Sequence, residues 1–129
     1  MSVAFKNEIA AAKGVLAAHI QALNERDEAR LAASLHFPHF RLSGADLKTW
    51  ETPESYFSDF RARAGDAWAR SSFEDIHVQQ ASAEKVHFDV EVQRFDAGGQ
   101  RIAVFRSLWV ITLENGKWAA KFRSSFAAY

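Results

Sequence analysis

The sequence predicts an α+β fold, with three N-terminal helices packed on a strongly curved, mostly antiparallel sheet. Three observations predict it. Apolar residues recur at three- and four-residue steps early in the chain and at every second residue late in it. Two turn signals, Gly98-Gly99 and Asn115-Gly116, divide the late part into long ribbons. The registers implied by those two turns put one set of apolar side chains on a single face.

The helices come first. Phe5, Ile9, Ala12, Leu16, Ile20 and Leu23 form one apolar stripe over residues 3–24, and His19 shares it. Asn24 to Asp27 breaks the pattern, and Asp27 is positioned to cap a short second helix from Glu28 to Leu35. Pro38 ends the helical option, after which His39 to Leu42 alternates as a strand. Ser43 to Asp46 reads as a turn and Leu47 to Trp50 as the return strand. Thr52-Pro53-Glu54 is a helix start: a capping hydroxyl, proline in the first turn, then an acid near the positive end of the dipole. That third helix carries Phe57, Phe60 and Ala64 on one side and is expected to stop at Gly65.

The strands follow. Ile76 and Val78 alternate with polar residues, as do Val86, Phe88, Val90 and Val92. A two-residue turn at Asn115-Gly116 sets Glu114 against Lys117, Leu113 against Trp118, Ile111 against Ala120, Trp109 against Phe122, Ser107 against Ser124 and Phe105 against Phe126. The Gly98-Gly99 turn sets Val92 beside Phe105, Val90 beside Ser107, Phe88 beside Trp109 and Val86 beside Ile111. The inner face is then apolar and aromatic. The outer face pairs Glu91 with Arg106 and aligns Asp89, Leu108 and Arg123. It also carries Ile102, Val104, Leu108 and Val110, a row too apolar for solvent alone, so a homodimer through this face is expected.

Composition narrows the classes of function. The chain has 129 residues, the size of one domain spanning 1–129, and 16 basic against 16 acidic side chains. A zero balance argues against a nucleic-acid partner and against a polybasic membrane surface. No cysteine is present, which removes thiol nucleophiles and zinc–thiolate sites. The five histidines show no helical His-x-x-x-His pair, so no metal site and no cofactor is expected; His77 and His87 share a face but make only two ligands. The apolar stretch from Ile9 to Leu23 is broken by Lys13, Gly14, His19 and Gln21, so it is neither a signal core nor a membrane span, and a cytoplasmic protein is expected.

The order of elements, the segment Ile20-Gln21-Ala22-Leu23-Asn24-Glu25-Arg26-Asp27 with Leu31 and Leu35 behind it, and the ending Asn115-Gly116-Lys117-Trp118 carry a resemblance. The whole chain resembles the nuclear-transport-factor-2-like superfamily, in its SnoaL-like or ketosteroid-isomerase-like branch. The resemblance implies a sheet wrapped round helices as a cone, an apolar pocket at the open end and frequent dimerisation through the outer face. The isomerases of that branch use an Asp base after the second helix, a Tyr on the first helix and a protonated Asp on an inner strand. Here the corresponding positions hold His36-Phe37-Pro38-His39, His19 and Ser107. A hydroxyl is a weaker donor than a neutral carboxylic acid. The isomerase reaction is therefore not carried over.

Several side chains are candidates for chemistry. His36 and His39 stand where the resemblance implies an acid–base group, and a histidine titrates near neutral pH. Their odd spacing sends them to opposite faces, so one at most meets a pocket. Arg41 shares parity with His39 and suits a carboxylate. His19, Tyr56 and Ser107 are candidates to position a carbonyl, with Ser124 completing a small polar notch beside Ser107. Trp50, Tyr56, Trp68, Trp109 and Phe122 would form a flat wall for a ring-containing ligand, or a packed core. Two functions stay open: a small-molecule binder with acid–base chemistry of the isomerase, dehydratase or cyclase type, and a non-catalytic homodimeric module with a filled cone.

Overall fold

The computed structural model describes residues 4–63 and 67–126, with backbone alone at 61–63. Helices α1 (Lys6–Glu25) and α2 (Glu28–Ala33) lead into strands β1 (Leu35–Ser43) and β2 (Asp46–Trp50). Helix α3 (Pro53–Arg63) follows, then β3 (Arg70–Ala81), β4 (Lys85–Phe95), β5 (Arg101–Glu114) and β6 (Lys117–Ser125). The strands form one curved sheet in the order β2-β1-β6-β5-β4-β3, antiparallel throughout except where β1 meets β6. The fold is therefore the α+β cone that the patterning predicts.

Local chemistry sets the element ends. The apolar stripe of α1 buries Ala12, Leu16, His19 and Ala22 against the inner sheet face. Arg26 closes the helix in the left-handed region, at φ 56°, with its N–H on the carbonyls of Ala22 and Leu23. Asp27 caps α2 by accepting from the Arg30 N–H at 3.1 Å. Thr52 caps α3 through its hydroxyl, which accepts from the Ser55 N–H at 3.2 Å. The end of α3 at Gly65 lies outside the described residues, as does Ala64.

Asn24 ties the end of α1 to the start of β3. Its amide donates to the Ser71 carbonyl and accepts from the Ser71 N–H, both at 2.8 Å. Truncating it orphans two backbone groups of a buried serine. Asn24→Ala is expected to cost about 2 kcal/mol in urea denaturation, and to loosen β3 where it borders α1.

Three expectations are corrected here. The second helix ends at Ala33, and β1 begins at Leu35 and runs through Pro38. Between Leu35 and Phe40, β1 advances five residues while its partner β6 advances two, which frees residues 36–39 from the ladder. Secondly, the β4–β5 turn is longer than two residues: the Asp96 carboxylate gathers the N–H groups of Gly98 and Gln100. The expected β4–β5 pairs nonetheless hold, including Val92 with Phe105 and Phe88 with Trp109.

The third correction matters most. The β5–β6 ladder runs as expected from Glu114–Lys117 to Ile111–Ala120, then slips by one residue. Lys121 is the extra residue of a bulge. Beyond it Val110 pairs with Phe122, Trp109 with Arg123, Leu108 with Ser124 and Ser107 with Ser125. Because side chains alternate, the slip exchanges the faces of the strand's end. Phe122 and Ser124 turn outward, Arg123 and Ser125 inward. Phe126 does not face Phe105; it is 83 % exposed, its N–H on the Arg106 carbonyl.

On the outer face Glu91 does stand opposite Arg106 in the ladder, but the Arg106 guanidinium binds Asp89 at 2.6 Å and Asp75 at 3.0 Å instead. Ile102 and Val104 are each 45 % exposed, and Leu108, Val110 and Phe122 are half-buried. No helix among the described residues is long and apolar enough to cross a membrane.

Candidate functional site

Beneath α1 the inner sheet face leaves a cleft lined by His19, Arg41, Ser71, Phe73, Val92, Arg94, Phe105, Ser107, Trp109, Arg123 and Ser125, with Ile20 and Leu23 above. Its volume is about 60 Å³. That is well below the ~300 Å³ of a small ligand pocket. The rest of the cone is filled by rings. Tyr56, 1 % exposed, sits amid Phe37, His39, Trp50, Phe57 and Phe60 at centroid distances of 5.1 to 6.5 Å.

His19 arrives in the cleft because it stands seven residues after Ala12 and three after Leu16 on the buried stripe. Its ring stacks on Phe73 at 6.3 Å and meets Trp109 edge-on at 5.0 Å. Nδ1 lies 2.8 Å from the Ser34 hydroxyl, which itself donates to the Leu31 carbonyl at 2.6 Å. The serine proton is thus committed, so Nδ1 carries the imidazole proton and donates to Ser34. Nε2 keeps a lone pair. Burial, then the charge of Arg123, lowers the His19 pKa from 6.5 to about 3, so the ring is neutral.

The bulge at Lys121 delivers Arg123. Its neighbour across the parallel ladder is Arg41, 3 % exposed. Arg123 Nη2 donates to the Tyr56 hydroxyl at 3.3 Å, and the guanidinium carbon lies 5.2 Å from the centre of the Trp109 ring. Arg123 Nε and Trp109 Nε1 are buried and have no hydrogen-bond partner among the described residues. Ser107 donates to the Ser124 carbonyl at 3.1 Å, so its oxygen remains free to accept.

The two histidines of β1 do point to opposite faces. His39, fully buried, stacks on Trp50 at 6.0 Å and donates from Nδ1 to the Ala120 carbonyl at 3.0 Å. Its Nε2 has no hydrogen-bond partner among the described residues, and burial followed by Arg123 holds its pKa well below the usual value. It is walled off by Trp50 and Tyr56 and is not among the cleft's lining residues. His36 reaches across to the Thr112 carbonyl at 2.9 Å and stands 3.9 Å from Glu114, whose carboxylate also meets Thr112 and Lys121 on the outer face.

Of the sequence candidates, the cleft thus gathers His19, Arg41, Ser107 and Trp109. Trp50 and Tyr56 are core. Trp68 packs between Phe60 and Arg26 and donates to the Ser71 hydroxyl at 2.9 Å, which fixes one wall from behind. Phe122 and Ser124 lie on the other face. Arg123, Ser125 and the Ser34 anchor of His19 escape the sequence reading. A one-residue bulge has no signature in an alternating strand, and the only local hint is the pair of small residues Ala119 and Ala120, both fully buried beside it.

No protein-family model and no curated protein sequence matches the chain. Solved structures do. An NTF-2-like protein of unknown function from Shewanella oneidensis aligns with a TM-score of 0.74 at 9 % identity, over 92 % of this chain and 98 % of that one. A ketosteroid isomerase-like protein from Erwinia carotovora atroseptica aligns at 0.71 and 15 % identity, over 92 % and 94 %. A hexachlorocyclohexane dehydrochlorinase, LinA type 2, aligns at 0.68 and 17 % identity, over 95 % and 86 %. Identities this low speak to architecture alone: the chain has the NTF2-like, ketosteroid-isomerase-like fold.

Proposed function

We propose that the chain binds a small molecule in the cleft beneath α1 and moves a proton on it with its own side chains, as in isomerase, dehydratase or cyclase chemistry. The observation that carries this reading is the neutral His19, whose Nδ1 is tied to Ser34 and whose Nε2 lone pair is left for the cleft it lines. A C–H or O–H of the ligand gives its proton to Nε2, and the electron pair left behind moves toward the N–H donors of Trp109 and Arg123. A ring extends from the cleft against Phe73 and Phe105, because 60 Å³ encloses only part of it.

Trp109 supplies the test. Its unpartnered indole N–H gives a separate NMR cross-peak, and a library of small cyclic and acyclic compounds is expected to yield members that shift it at millimolar concentration. If none does, the reading fails.

A second reading, the non-catalytic homodimeric module, draws on the ring cluster that fills the cone around Tyr56 and on the exposed Ile102 and Val104. We propose self-association through that outer face in either case. Val104→Glu would bury a charge in such an interface, so sedimentation is expected to show a dimer for the wild type and a monomer for the variant. A wild-type monomer at 100-fold dilution series concentrations up to about 1 mM, where even a weak contact of ~4 kcal/mol is half-populated, removes it.

A further inference from the structure

We propose that the groove at the β3–β4 hairpin binds a phosphate group through Lys85, Gln80 and His87. It lies apart from the cleft beneath α1, and nothing proposed for His19 depends on it.

Register builds the groove. Between Val78, paired with Phe88, and Gln80, paired with His87, β3 advances two residues while β4 advances one. Gln79 is the extra residue of that bulge, and the slip brings Gln80 to the same face as His87. Lys85 stands two residues before His87 on β4 and shares that face. Ser82 closes the turn: its N–H donates to the Lys85 carbonyl at 2.8 Å, and its hydroxyl accepts from the Glu84 N–H at 3.4 Å. Gln80, Ala81, Ser82, Lys85 and His87 line a space of about 120 Å³, twice that of the cleft beneath α1. At ~30 Å³ per water that is room for about four, enough for a tetrahedral oxyanion.

The side chains there have bonding capacity to spare. Those of Gln80 and Lys85 make no hydrogen bond or ion pair among the described residues, and neither ring nitrogen of His87 has a partner there. No carboxylate among the described residues lines the groove. The acids of the adjoining positions are engaged elsewhere. Asp89, two residues beyond His87, is held by Arg106 at 2.6 Å. Glu114, two residues beyond the Thr112 that pairs with Lys85, is held by Thr112 at 2.6 Å and Lys121 at 3.4 Å. Glu84 precedes Lys85 in the turn and is not a lining residue. The Lys85 charge is thus left for a ligand.

The mixture of donors and acceptors selects among anions. Lys85 and Gln80 supply N–H groups. Burial, then the charge of Lys85, holds the His87 pKa below its usual 6.5, so the ring is neutral and carries one lone pair beside one N–H. Sulfate and carboxylate only accept, and bring nothing to that lone pair. A phosphate group has a second pKa of about 6, so near neutrality it carries a proton that an imidazole can share, while its other oxygens accept from ammonium and amide. Lysine suits this role as a compact charge with three rotatable donors, where a carboxylate is better matched by the planar fork of arginine.

The test follows the His87 ring protons by NMR in the full chain as inorganic phosphate, methyl phosphate or sodium sulfate is added at matched ionic strength. Phosphate is expected to shift them saturably, with an affinity about ten-fold above that of sulfate. It is also expected to move the midpoint of the His87 titration upward by about half a pH unit, because the anion offsets Lys85. Lys85→Gln replaces an exposed side chain, and is expected to weaken phosphate binding about ten-fold. Methyl phosphate binding as phosphate does identifies a phosphomonoester as the occupant; rejection of the ester with phosphate retained identifies the free ion. Sulfate equal to phosphate, or an unchanged affinity in Lys85→Gln, overturns the proposal. So does the lack of any saturable shift up to about 10 mM phosphate, where a Kd of ~1 mM is nearly saturated. Each of these results leaves the cleft beneath α1 untouched.

Discussion

Lowering the pH from 8 to 5 is expected to remove about 2 kcal/mol of stability through His19 alone. The folded pKa of about 3 lies below the unfolded value of 6.5. Above pH 6.5 both states hold a neutral ring and no proton is exchanged on unfolding. Below it the unfolded chain takes up a proton that the folded chain refuses, so stability falls as pH falls, from 6.5 down to about 3. His39 is buried under the same two influences and adds a loss of the same sign.

The window separates these histidines from the carboxylates. Arg106 holds the Asp75 carboxyl below its usual 3.8, and Thr112 holds Glu114 below its usual 4.5. Their contributions are present above those values and are lost only in more acidic solution. Urea denaturation at pH 8, 6.5 and 5 is the measurement. His19→Gln keeps a side chain able to donate to Ser34 and removes the titration, so its stability is expected to fall less steeply over that range. Equal slopes for the variant and the wild type would mean that His19 is not the buried neutral group described.

The architecture was legible because its signals are local and repeated. The stripe on α1, the Asp27 and Thr52 caps and the alternation in β4 each report on one element, and the Asn115-Gly116 turn fixes four pairs of its ladder before the bulge intervenes. The site was legible only in part. His19, Arg41, Ser107 and Trp109 follow from parity on unbroken elements. Arg123 does not, because parity carried past Lys121 gives the wrong face, and Phe122 and Ser124 then take the places of Arg123 and Ser125. An extra residue in a strand is specified by what the neighbouring strands demand. Here β6 must serve the antiparallel β5 and the parallel β1 at once, and both ladders shift within residues 120–122. Nothing in the nine residues of β6 states that compromise. Ser34 was missed for a related reason: its role depends on α2 ending at Ala33, two residues earlier than its apolar spacing implies.

Tyr56→Ala is expected to be the most damaging single truncation, at about 3–5 kcal/mol. Tyr56 is 1 % exposed and touches five rings drawn from β1, β2 and α3, so no one neighbour can move in to fill its place. Tyr56→Phe keeps that packing and removes only the acceptor for Arg123 Nη2, for a loss of about 1 kcal/mol. The difference between the two variants therefore measures ring packing apart from polar pairing. It also bears on what the cone is for. The space vacated by alanine is lined by aromatic side chains, and dry apolar cavities of that kind take up benzene-sized guests. Benzene is expected to raise the melting temperature of Tyr56→Ala and to leave that of the wild type unchanged, since the wild-type ring already occupies the place. Equal stabilisation of both proteins would mean that the β1–β2–α3 side of the cone is open to ligands after all, and that the binding site extends from the arginine cleft to His39.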